Sequence, residues 1–111
     1  MADHKFELVV CIVNAGFSQD VMEAARSEGA TGGTILRARG TANHESEEFF
    51  NIKIHPDKEA ILIVVPKDLK DKVMKAVFSK CGPTTDAVGL IFSVPVDSTT
   101  IGMAEAKEKE A

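Results

Sequence analysis

Two hydrophobic periodicities take turns along this chain, one of two residues and one of about 3.6. Phe6, Leu8, Val10 and Ile12 form one face of a strand and Val9, Cys11 and Val13 the other, with Glu7 near its start. Asn14-Ala15-Gly16 ends the strand as a turn. Phe17, Val21 and Ala25 then recur at helical spacing, with Ser18 placed to cap the helix and Gly29 to stop it. A second strand is predicted from about Gly33 to Thr41, with Ile35, Arg37, Arg39 and Thr41 on one face. Lys58 to Val65 forms the third: Ile61, Ile63 and Val65 share one face, Ala60, Leu62 and Val64 the other, and Pro66 closes it. The spacing of Leu69, Val73, Ala76 and Val77 predicts a helix over Lys67–Lys80, with Met74 and Phe78 as an offset apolar pair and Gly82-Pro83 as its stop. Val88 to Val96 is the fourth strand. Residues 42–56 hold His44, three glutamates, Phe49, Phe50 and His55 without clean periodicity, and a loop this long in a small domain is usually functional. The tail, 104–111, mixes Glu and Lys as a solvated helix or a disordered end.

Strand, helix, strand, loop, strand, helix, strand is the split βαβ order of an α+β, ferredoxin-like βαββαβ sandwich spanning residues 4–103. Right-handed crossovers place both helices on one face of an antiparallel sheet. The other face should then alternate toward polar residues. It does not, because the first and third strands are apolar on both sides. Two helices cannot cover two sheet faces, so the pattern implies that copies of the same chain cover the second.

Composition narrows the functions. The chain has 111 residues, and Lys+Arg 13 against Asp+Glu 17 gives a net charge of −4. That balance lacks the basic footprint of a nucleic-acid-binding domain. No apolar run, Ala60 to Val65 included, approaches the ~20 residues that span a membrane. Two cysteines make no disulfide framework, and no cleavage site follows the N-terminus, so a reducing, cytoplasmic setting is expected. No Ser sits in a nucleophile elbow and no carboxylate pair shows a reason for split acidities, which argues against an enzyme.

Three segments resemble the PII signalling proteins (the nitrogen regulatory protein P-II family). They are Glu28-Gly29-Ala30-Thr31-Gly32-Gly33-Thr34 with the strand ending Arg39-Gly40-Thr41, Ile61-Leu62-Ile63-Val64-Val65-Pro66-Lys67-Asp68, and Gly89-Leu90-Ile91-Phe92. The resemblance runs from about Lys5 to Gly102, with residues 42–56 as a shortened T-loop. It implies a homotrimer that binds a small effector, an adenine nucleotide, in clefts between subunits. It also implies a T-loop that docks on a protein partner, conceivably a membrane transporter.

Carried over by position, Gly32 and Thr34 match the turn and hydroxyl on the adenine side, and Gly40 the glycine at the root of the T-loop. His44 falls at a loop-base glutamine, Lys58 at a basic residue of the returning stem, and Val64 at a backbone position near the base. Ala87, Val88 and Gly89 occupy the family's glycine-rich phosphate loop, where only Gly89 keeps its glycine. Leu90 replaces a phosphate-binding lysine, Ile101 and Met103 stand near two arginine positions, and the chain has no Tyr to be uridylylated. A triphosphate needs several cations or N–H donors. ADP or AMP is therefore expected over ATP, unless Arg37, Arg39 and Lys58 all face the cleft.

Each of these features has a plainer reading. The glycines are also a helix stop and a turn, and Arg37 and Arg39 also suit a solvated or salt-bridged face. His44 and His55 with the loop carboxylates offer an alternative, a metal-responsive protein similar to the trimeric CutA-like cation-tolerance proteins. No resident cofactor is implied.

Overall fold

The computed structural model of the protein describes residues 4–41 and 56–102. Within them β1 (Phe6–Asn14), α1 (Ser18–Ser27), β2 (Thr34–Arg39), β3 (Asp57–Pro66), α2 (Lys70–Cys81) and β4 (Leu90–Val96) follow in the expected order. The sheet is antiparallel with strand order β2-β3-β1-β4. This is the ferredoxin-like arrangement. No described helix is long and apolar enough to cross a membrane.

The core lies between the helices and one sheet face. Val9, Cys11 and Val13 of β1 and Ile61, Ile63 and Val65 of β3 are sealed there against Val21 and Ala25 of α1 and Val73, Val77 and Cys81 of α2. Glu7 is on the same face, buried at the start of β1 with His4 Nε2 at 3.4 Å and Lys70 Nζ at 3.9 Å. Burial pushes the Cys11 thiol up to about 12, and the nearby Cys81 adds to the shift. Both cysteines are thus neutral, buried small hydrophobes near pH 7. The helices are also joined outside the core, where Lys80 Nζ meets Glu23 Oε2 at 2.6 Å.

The opposite face is open. Register puts Leu62, Val10 and Phe92 in one cross-strand row, Val64, Leu8 and Val94 in the next, and Ala60, Ile12 and Leu90 in a third. Phe92 and Val94 are 40% and 44% exposed, although they sit amid this continuous apolar surface.

Local expectations shift at four places. Ser18 does not cap α1: Phe17 occupies that position, with no side-chain cap bond. Gly16 turns at φ 103 and the Phe17 N–H reaches Asn14 O, which starts the helix one residue early and draws Ser18 into its buried first turn. A 3₁₀ turn over Lys67–Leu69 precedes α2, because Pro66 is still extended (φ −56, ψ 143) and the tighter turn makes the corner. β2 stops at Arg39, and beyond it the Gly40 N–H bonds across to Pro56 O. β4 begins at Leu90, since Val88 is at φ 47 and cannot extend the strand.

Candidate functional site

One end of the sheet gathers the end of β1, the end of β2, the start of β3 and the approach to β4. The Gly40 N–H bonds Pro56 O at 2.7 Å and so joins the two stems of the 42–55 segment. Gly40 has a local reason to be glycine. A Cβ there would meet the Lys58 side chain, 3.1 Å from Cε. The Lys58 stem lies across this gap, and its ammonium donates to Asn14 Oδ1.

Asn14 is the hub of this end, although its sequence context marks only a turn. Besides accepting from Lys58, its side-chain amide donates to Asp86 O at 3.0 Å and its backbone N–H to Ala87 O at 2.9 Å. The loop-base lysine is thereby coupled to the 86–89 loop through one side chain. A strand-ending Asn is a weak sequence signal, since it serves turns equally well. Asn14→Ala is expected to cost about 2 kcal/mol, because it leaves a half-buried ammonium without its acceptor. Chemical denaturation of the two proteins measures this.

The 86–89 loop takes its shape from local contacts and hydrogen bonds. Ala87 is 1% exposed and packed away, while Val88 stands 53% exposed. Val88 takes φ 47, the left-handed region where a β-branched residue is strained. Its N–H bonds Thr85 O at 3.0 Å, and the Gly89 N–H bonds Gly82 O at 3.2 Å. The backbone thus holds a glycine-like shape with a valine in it. Val88→Asn, which tolerates that shape, should stabilise the fold by about 1 kcal/mol, as thermal unfolding would register.

The remaining predicted residues divide by place and by face. Gly32 precedes β2, Thr34 pairs with Leu62, and Val64 pairs with Leu8, all toward the far end of the sheet. Val64 and Lys58 are about 20 Å apart along β3. Arg37 and Arg39 alternate with Ala38, so they share the helix-side face with Glu59, while Lys58 points with Ala38 and Asn14 to the open face. The three cations do not converge. His44 and His55 lie outside the described residues, and those described contain no group of three or more metal-donor side chains.

On the helix side, a cleft of about 560 Å³ opens between the start of α1 and the β2–β3 edge. Ser18, Gln19, Arg37, Asp57, Lys58 and Glu59 line it. Glu59 Oε1 accepts the Gly16 N–H at 2.7 Å and holds the β1–α1 turn over its rim. No local sequence signal marks Glu59 for this position.

No curated protein sequence matches the chain. Among solved structures it is similar to Arabidopsis thaliana PII bound to citrate, at 27% identity and a TM-score of 0.64, over 86% of this chain and 79% of that one. The family model described as nitrogen regulatory protein P-II matches residues 6–102. With that span, the ferredoxin-like sheet and the loop stems joined at Gly40 and Pro56, the chain belongs to the nitrogen regulatory protein P-II family.

Proposed function

We propose that this chain is a PII-like regulatory protein. It assembles as a homotrimer, binds a small effector between subunits, and controls a partner protein through the 42–56 loop. The observation that carries the reading is the division of the candidate residues. Gly32, Thr34 and Val64 sit toward one end of the sheet, Gly40, Lys58 and Gly89 at the other, about 20 Å apart. One protomer cannot close both groups on one small ligand. Neighbouring protomers can, and the bare apolar sheet face gives them a surface to meet on.

The effector we favour is ADP or AMP. Leu90 and Ile101, 59% and 50% exposed, stand where the family places phosphate-binding cations. Lys58 is drawn to Asn14, and Arg37 and Arg39 are on the other sheet face. Little positive charge is left for three phosphates. The effector would act by contacting one arrangement of the loop better than another. Gly40, Pro56 and Lys58 are placed to transmit that preference.

Thermal unfolding with millimolar ADP, AMP and ATP tests this. A ligand at about 100 times its Kd stabilises the folded state by about 2.7 kcal/mol. ADP or AMP should raise the Tm by several degrees and ATP by less. Absence of any shift with all three nucleotides would overturn the nucleotide reading.

A further inference from the structure

We propose that Asn14 is a latch between the stem of the 42–56 segment and the 86–89 loop. Withdrawing the Lys58 ammonium from Asn14 lets that loop relax and β4 lengthen toward Val88. The coupling lies within one protomer. It goes beyond the effector reading and does not rest on it.

The 86–89 loop has a second arrangement within reach. β4 pairs with β1 as far as Leu90, which stands opposite Ile12. Continuing that register sets Gly89 opposite Val13 and Val88 opposite Asn14. The loop forgoes both pairs. Val88 stands instead at φ 47, where a β-branched side chain is strained and from which an extended backbone would relieve it. Three backbone bonds oppose that relaxation: Val88 N–H to Thr85 O, Gly89 N–H to Gly82 O and Asn14 N–H to Ala87 O. The fourth restraint is a side chain, the Asn14 amide donating to Asp86 O at 3.0 Å. Strain set against a few hydrogen bonds makes an element with two arrangements, which a change in one bond can bias.

The bond open to change is the one between Asn14 and Lys58. Lys58 is the cross-strand partner of Asn14 on β3, and its ammonium donates to Asn14 Oδ1. With Oδ1 held toward Lys58, the Nδ2 end of the amide is held toward Asp86 O. Each bond therefore sets the orientation that the other needs. Lys58 is the member that can leave. It is half-buried and forms no ion pair among the described residues. Its acceptor is a neutral amide, which holds an ammonium less firmly than a carboxylate does. It also lies two residues beyond Pro56, whose carbonyl takes the Gly40 N–H, so a movement of the stems reaches Lys58 first. Linkage makes the coupling reciprocal: whatever keeps the 86–89 loop in its strained shape also keeps Lys58 on Asn14.

NMR of the full chain without added ligand tests this, through the Val88 Cα and Cβ shifts and amide hydrogen exchange. Lys58→Met keeps an aliphatic stem beside Gly40 and removes the ammonium. It should move the Val88 shifts toward strand values and speed exchange at Gly89 about tenfold, since the lengthened strand gives up the bond to Gly82 O. Ile63, in the core, should exchange as it does in the wild type, which separates local release from general loss of stability. Lys58→Arg still donates to Asn14 and should match the wild type. In Asn14→Ala the Val88 shifts should already be moved, and adding Lys58→Met should change them no further. The proposal is overturned if Lys58→Met leaves Val88 and Gly89 at their wild-type values, or if Lys58→Arg behaves as Lys58→Met does. It is equally overturned if Lys58→Met keeps its full effect in the Asn14→Ala background. Should Asn14→Ala fail to fold, the two Lys58 variants alone decide.

Discussion

Gly89→Ala is expected to be among the most damaging single-methyl additions to the fold. A Cβ at this position would overlap the carbonyl oxygen of Cys81 at the end of α2, and would press on Val13 Cγ1 at 3.3 Å. The clash is with backbone, so no side-chain rotation relieves it. Retreat of the 86–89 loop would break Gly89 N–H to Gly82 O and Asn14 N–H to Ala87 O. Retreat of α2 would open the core at Cys81 and Val77. Either way the cost should reach about 3 kcal/mol, a fall in Tm of roughly 15 °C for a domain of this size. Gly32→Ala is the informative contrast. Nothing lies within 4 Å of a Cβ there, and the backbone is in no left-handed region, so stability should change by less than about 0.5 kcal/mol. If Gly32 faces the effector, Gly32→Ala weakens binding while the Tm of the free protein holds. Thermal unfolding of both variants, with and without ADP, separates the two roles.

That contrast shows what the sequence could reveal. The strands and helices were legible because each carries its own period, and a core face is a local property of a strand. The doubled apolar faces of β1 and β3 were legible for the same reason, and with them the open sheet surface. Relations between strands were less so. Arg37, Arg39 and Lys58 read alike as basic residues flanking a loop, yet two face the helices and one faces away. Which face Lys58 takes depends on the β2–β3 register, Arg37 with Glu59 and Ala38 with Lys58, and a slip of one residue would reverse it. No local pattern encodes that register across residues 40–56. Asn14 was hidden for a related reason: its partners Lys58 and Asp86 are 44 and 72 positions away. Val88 was hidden because its conformation is set by the Gly82–Gly89 closure, against its own preference. Gly89 was read as part of a phosphate-binding motif, but its close approach to Cys81 is sufficient reason for a glycine there.

Val94→Asp should convert the proposed trimer to monomers while leaving the protomer folded. Val94 is on the open face in the row with Leu8 and Val64, and it is 44% exposed in the protomer. In an isolated chain an aspartate at so exposed a position stays hydrated, and the expected change in stability is within about 0.5 kcal/mol. In a trimer assembled through this face, the same carboxylate would be taken out of water against Leu, Val and Phe side chains. An uncompensated buried charge costs about 3–5 kcal/mol, and each protomer brings one to the interface. At micromolar concentration that is enough to dissociate most subunit contacts of moderate size. Light scattering after size exclusion should therefore give a trimer mass for the wild type and a monomer mass for Val94→Asp, with circular dichroism unchanged. A wild type that is already monomeric at that concentration would remove the need for a covered face and, with it, the intersubunit site. A variant that stays trimeric would place the contact on another surface. Ligand binding then supplies the link: if effector residues come from two protomers, Val94→Asp should lose ADP or AMP binding although none of the candidate binding residues has been altered. Binding retained by the monomer would instead locate the site within one chain.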